Sequence, residues 1–374
     1  MFRRFTLVLC TVLLGAGCDS ESITSGEGVA YRSEGTDYPN TAVALLGGDI
    51  VVGALVNGTI APADGTIGYP AVIRFGPDGF DAVAFDDERD FYGVDGVATL
   101  GNGLAVAIGT EAGVEVYRTD RWGRGRERIA LIEDTQFLPE DALHSIPGGL
   151  VLAVYPTMAD GTHLYGLSAS GDVRWTYRLP EAQDVRSVSV TADGDLFVAG
   201  SGVRGAGTVV ARLSPDGAER WRREVPDGTV IDLEVTPSGI ALATVRYTEG
   251  AARVDVMLLD TDGSTEWTRT LTAENRGGEV QVAGVGDAVV VGFSVDDGLY
   301  ETGNEARLVV LDADGEVRDT LPIGDGPEAT TFIEGLLHLP DGRLGLITAV
   351  GPPRLGGYGG DDFDIVVTRL RLDD

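Results

Sequence analysis

The chain has 374 residues, with 28 basic side chains against 59 acidic ones, a formal charge of −31. An acidic excess of this size excludes nucleic acid as a partner, because binding it depends on neutralising phosphates with cations. All 28 basic residues are arginine, and with lysine absent the composition fits either salt adaptation, in which dense carboxylates keep a surface hydrated, or a GC-rich genome that favours arginine codons.

Residues 1–17 read as a secretory leader: Arg3 and Arg4 make a positive start, and Phe5 to Leu14 an apolar core too short to span a bilayer. The core runs into Leu14-Gly15-Ala16-Gly17-Cys18, which resembles a bacterial lipobox. That resemblance implies acylation of Cys18 and a membrane-anchored lipoprotein of the bacterial envelope, facing the periplasm or the exterior. Cys10 would leave with the leader, so the processed chain has no pair of thiols for a disulfide and must rely on its core. Removal of Arg3 and Arg4 takes the charge to 26 minus 59, or −33. Residues 18–27 are small and polar and are expected to tether the lipid to a body spanning 28–374.

From there on, runs of four to eight residues rich in Val, Leu, Ile and Thr alternate with Gly, Asp, Asn and Pro, and no segment sustains a helical period. The chain is all-β. Turn glycines at 171, 217, 263 and 315 are 46, 46 and 52 residues apart, with weaker copies ending at Gly79 and Gly123. A period in the forties with four strands per copy is the signature of a β-propeller. Copies fall near 41–84, 93–132, 142–179, 184–225, 228–271, 278–323 and 329–374. Seven blades are expected, with eight as the alternative. The last copy lacks an outer strand, and GVAYRSE at 28–34 is expected to supply it and close the ring.

Within the copies an apolar strand leads into LDxDGxxxW: LVVLDADGEVRD, DVMLLDTDGSTEW and VVARLSPDGAERW. A calcium loop would need alternating oxygen ligands and a terminal bidentate Glu. These segments instead turn straight into a strand, so Asp-Gly is read as a hairpin corner and no cofactor or metal is expected. The pattern resembles the pyrroloquinoline-quinone-like repeat propellers, which include the lipoproteins of barrel assembly. The resemblance implies that Trp175, Trp221 and Trp267 pack between blades; in the next copy that position is Asp319. Function follows from such a likeness only by analogy.

Enzyme signatures are weak. Three histidines, His144, His163 and His338, have no ligand spacing, and no nucleophile elbow or phosphate loop occurs. The expected function is a monomeric binding module for a protein, peptide or carbohydrate; the alternative is a metal-dependent, lactonase-like hydrolase with ligands from several blades. Loops joining second and third strands vary in length and carry Tyr69, Tyr155, Tyr247, Tyr300 and Tyr358 beside Asp296, Asp297, Asp361 and Asp362. These residues are the candidate binding face, since tyrosine offers rigid contact area and carboxylates select cationic or polyhydroxyl groups.

Overall fold

Seven antiparallel sheets, each of at least four strands, form a ring, and the described residues contain no helix. The computed structural model describes residues 9–11, 23–32, 36–61, 65–77, 79–84, 93–133, 135–139, 141–156, 162–179, 183–202, 207–225, 228–248, 251–275, 280–295, 305–324, 330–351 and 363–372. Blades one to six span 36–84, 94–133, 135–178, 183–225, 229–275 and 280–323, each running from the innermost strand outwards. Blade three carries an additional short strand, Thr135–Phe137, against its second strand.

Blade seven is closed as expected. Its first three strands are Thr330–His338, Leu344–Gly351 and Asp364–Leu372, and Ile23–Tyr31 pairs with the last of them. This closing strand starts at Ile23, inside the segment expected to be a tether. Leu9–Thr11, within the segment read as a leader, pairs on its outer edge.

The core is divided among the seven seams. Each seam holds its own apolar cluster, such as Val254, Val256, Val289 and Val291 between blades five and six, or Tyr31, Ile347, Ile50 and Phe75 between blades seven and one. Second strands are buried on both faces, which is why they read as near-continuous apolar runs; Gly103–Thr110 is buried throughout apart from its two end residues. Outer strands alternate: in Val173–Arg178, Trp175 and Tyr177 are half-buried while Arg174, Thr176 and Arg178 are exposed.

The LDxDG segments are hairpin corners with a fixed hydrogen-bond scheme. In blade six Gly315 N–H donates to Asp312 O (3.0 Å) and Asp312 N–H to Glu316 O (3.0 Å), with Gly315 at φ +77°. The side-chain cap comes from the first aspartate and not from the one before glycine: Asp312 Oδ1 accepts from the N–H groups of Asp314 (3.0 Å) and Glu316 (2.8 Å). Asp260 does the same for Asp262 and Ser264, both at 2.8 Å. Directly after the corner a bulge shifts the register, between Val310 and Leu311 in blade six and at the matching place in blades three, four and five. The bulge re-aims the following side chain towards the next blade. There the indole N–H groups of Trp175, Trp221 and Trp267 reach Pro215 O (3.0 Å), Thr261 O (3.0 Å) and Ala313 O (2.9 Å).

Candidate functional site

The seven innermost strands each pair on one side only, so their free edges face the axis and enclose a central channel of about 420 Å³. All seven blades line it, from Pro39–Ala44 in blade one to Glu334–His338 in blade seven.

One irregularity recurs around this channel. The register between first and second strands shifts at Pro39/Thr41, Val94/Gly96, Val185/Ser187, Val230/Asp232 and Ile333/Gly335. Each shift leaves one extra residue on the inner strand: Asn40, Asp95, Arg186, Ile231 and Glu334. In blade three Asp141 stands just before the inner strand with φ +53°, the one non-glycine residue with positive φ among the described residues. Bulges expose and re-aim side chains that a regular ladder would point into a neighbouring blade. Here four of the five, all but the apolar Ile231, set a band of polar groups near the end of the channel at which inner strands begin. That end also carries the connections between second and third strands, since Gln183 at the start of one inner strand pairs with Gly202 at the end of the next.

The polar band is cross-linked. Asn40 donates to Asp95 (3.0 Å), and Thr41 to Asp141 (2.9 Å). Asp232 ties three blades together: its Oδ1 accepts from the Ser187 hydroxyl (2.9 Å) and Leu233 N–H (2.7 Å), and its Oδ2 from Val282 N–H (2.8 Å). Two residues on, Glu234 accepts a single hydrogen bond from Ser189 (2.9 Å), the only one to its side chain among the described residues. Glu234 keeps part of its surface towards the channel while protein surrounds it on every side. Desolvation therefore pushes its carboxyl up to about 8, with the nearby charges of Asp232 and Asp141 adding to the effect and Ser189 opposing it. Desolvation raises Asp232 as well, against the three donors that stabilise its charge. His144 lines the same space, its Nδ1 3.9 Å from Asp141 and its buried Nε2 without a hydrogen-bond partner.

The channel residues were not among those singled out from sequence. A signal was present: TVIDLEVT is the first strand of its copy, and an apolar strand with carboxylates two residues apart departs from its neighbours. Of the three histidines, which have no ligand spacing in sequence, His144 and His338 line the channel and His163 lies on the third strand of blade three.

The predicted loop-face residues are divided. Tyr155 sits at the end of strand Gly149–Pro156 and donates to Val185 O across the seam to blade four (3.0 Å). Tyr69 belongs to strand Gly65–Gly76 and packs on the cluster between blades seven and one. Tyr247 is in strand Gly239–Thr248. The hairpins here are longer than sequence suggested, Ile50–Ala61 with Gly65–Gly76 and Gly239–Thr248 with Ala251–Leu259, so these positions are strand and not loop. Tyr300, Tyr358, Asp296, Asp297, Asp361, Asp362 and Cys18 lie outside the described residues. Among the described residues no group of three or more His, Cys, Asp or Glu side chains is placed to hold a metal ion.

Ring, seams and channel define a seven-bladed β-propeller of the repeat type. The chain belongs to the family described as outer membrane protein assembly factor BamB, which matches residues 83–235 and 202–346 and so covers most of the ring. No curated protein matches the sequence. Solved structures share the fold at low identity. The Dos1 propeller is 9% identical with a TM-score of 0.57, covering 91% of this chain and 93% of that one. YCF48 bound to D1 peptide is 12% identical with a TM-score of 0.53, covering 93% and 96%. The Cps50 (Swd1) propeller of Myceliophteria thermophila is 13% identical with a TM-score of 0.53, covering 93% and 99%.

Proposed function

We propose that this protein is a lipid-anchored, extracytoplasmic interaction module that docks a protein or peptide partner on the face where second-to-third-strand loops emerge. Membership of the BamB family carries the reading, since that family's description places its members in assembly at the bacterial outer membrane. The lipobox-like segment ending at Cys18 agrees with it, and YCF48, a propeller of the same fold, is described as bound to a peptide. The rigid ring supplies a scaffold, and the loops at one end of it supply variable contact surface. Tyr300, Tyr358 and the acidic pairs Asp296–Asp297 and Asp361–Asp362 remain the proposed contacts on that face.

Capture from solubilised membranes with the acylated full chain is the test. Tyr300→Ala with Tyr358→Ala is expected to abolish partner capture and leave the melting temperature nearly unchanged, while Asp216→Arg on the opposite, corner-bearing side leaves capture intact. The reverse pattern places the partner on the other face. Cys18→Ser is expected to shift the protein from membrane to soluble fractions with loss of the acyl mass; a wild type already soluble and unacylated removes the anchor from the proposal.

A further inference from the structure

We propose that the central channel is a binding site for a single ammonium or guanidinium group on a ligand whose remainder is neutral or anionic, with Glu234 accepting the cation and Arg186 discriminating at the mouth.

The donor and acceptor inventory leads there. Both oxygens of Asp232 are occupied by donors from blades four, five and six, so this carboxylate is committed to holding the ring. Glu234 is not: one oxygen takes the Ser189 hydroxyl, and the other accepts nothing from the described residues although the side chain lines the cavity. His144 lines the same cavity, but its Nε2 is buried without a partner and has no surface open to the channel. Its side chain is 12% exposed, so that nitrogen is shielded from bulk water. A carboxylate oxygen this enclosed is costly to leave unpaired, and a ligand supplying N–H donors at Glu234 recovers the cost.

Charge fixes the sign. The groups lining the cavity around Glu234 are Asp232 on its own strand, Asp141 and His144 from blade three, Arg186 from blade four, and Glu334 and His338 from blade seven; blade six contributes the neutral Gln281. With Glu234 itself counted, four carboxylates line this space against one permanent cation. A cation placed against Glu234 restores its ionised form, and because its carboxyl is held up to about 8, binding near neutrality expels a proton. A metal ion is a poorer fit, since no three ligating side chains converge among the described residues, whereas an ammonium can use single, separated acceptors.

Arg186 sets the rest of the ligand. It occupies the blade-four bulge, is exposed, and forms no ion pair among the described residues. A second cation on the ligand would meet it and be repelled; a carboxylate would be attracted. The site thus favours a lone lysine- or arginine-type group beside an anion over a polyamine.

This inference does not rest on the lipid anchor or the loop-face partner, and its test uses the folded chain alone. Isothermal titration with Nα-acetyl-lysine is expected to show saturable binding and, in buffers of different ionisation heat at pH 7, release of a proton. Nα-acetyl-lysine amide is expected to bind more weakly, and Nα,Nε-diacetyl-lysine about tenfold more weakly or not at all. Glu234→Gln is expected to lose about tenfold in affinity together with the proton release, without a lower melting temperature. Arg186→Ala is expected to erase the preference for the free carboxylate while the amide still binds. A blocked Ala-Lys-Glu peptide distinguishes sources: tighter binding than Nα-acetyl-lysine assigns the group to a partner chain, weaker binding to a small molecule, and both keep the site. The proposal is overturned if none of the lysine probes binds at about 10 mM, if diacetyl-lysine binds as well as Nα-acetyl-lysine, if spermidine binds more tightly, if calcium alone fills the channel, or if Glu234→Gln binds like the wild type.

Discussion

Gly217, Gly263 and Gly315 each satisfy two constraints. The corner needs a left-handed residue, and the preceding blade's indole lies across it: a Cβ at Gly315 would sit 2.6 Å from Cδ2 of Trp267, and one at Gly217 2.5 Å from Cδ2 of Trp175. Glycine and tryptophan of successive copies are therefore one interaction, and the repeat text LDxDGxxxW records a seam as much as a turn. Gly315→Ala is expected to cost about 2–3 kcal/mol, from strain at positive φ together with displacement of the indole. Trp267→Ala should cost about 2 kcal/mol, since the ring is only half-buried. The double variant is expected to lose less than the sum, because removing the indole removes the clash; strict additivity in urea unfolding would mean the two do not touch. Glu234 gives a second residue-scale expectation. Its folded carboxyl titrates at about 8 against about 4.3 for an unfolded glutamate. Between those values the native state holds the extra proton, so this group's contribution to stability falls as pH rises from about 4.3 and is lowest above 8. Glu234→Gln removes that dependence and is expected to raise the melting temperature at pH 9 while changing little at pH 5. An equal effect at both would show that the carboxyl ionises normally.

At the level of strands and blades, the seam between blades seven and one is joined by chain ends, and a buried arginine marks the junction. Arg369 on the third strand of blade seven is 7% exposed and donates to Phe75 O (2.8 Å) and Gly48 O (3.4 Å) in blade one. Burial lowers its pKa, so the charge is held at a cost that the carbonyl contacts offset. Arg369→Ala is expected to destabilise the ring by about 2–3 kcal/mol. Hydrogen exchange should then rise first in Asp364–Leu372 and Ile23–Tyr31; uniform exchange around the ring would deny that seam a special role. The blade count and the closing strand were legible in the sequence, because one is written by local periodicity and the other by a deficit in the last copy; the seam tryptophans came from the resemblance to the repeat propellers. The inner-strand bulges were not legible. A bulge adds one residue to a strand without altering its apolar alternation enough to be seen, and Arg186 or Glu334 looks like an ordinary polar position until pairing is known. The channel shared by Asp232, Ser187 and Val282 was hidden for the same reason, since residues about 50 apart meet only when blades close into a circle. The extended hairpins holding Tyr69 and Tyr247 were taken for loops because Gly, Asn and Pro within them mimic turn composition.

Across the whole molecule the governing quantity is charge. Fifty-nine acidic groups face 28 arginines; among the described residues some ion pairs are anchored on buried carboxylates, Asp195 with Arg212 and Arg220 and Asp255 with Arg246 and Arg253, and others are surface contacts such as Arg124–Asp81 (2.8 Å) and Arg118–Glu127 (3.5 Å). Exposed pairs of this kind contribute about 0–1 kcal/mol each, so screening them removes little. The 31 uncompensated negative charges act in the opposite sense, repelling one another across a ring whose seams are held mainly by apolar clusters. Raising sodium chloride from 0.1 to 1 M shortens the screening length from about 10 to about 3 Å, which removes repulsion between blades before it reaches contact-distance pairs. The melting temperature is therefore expected to climb by several degrees over that range, with sucrose at matched osmolality giving a smaller rise. A curve flat in salt would mean the carboxylates are spread widely enough to be individually solvated, and would favour genome composition over salt adaptation as the origin of a chain with 28 arginines and no lysine.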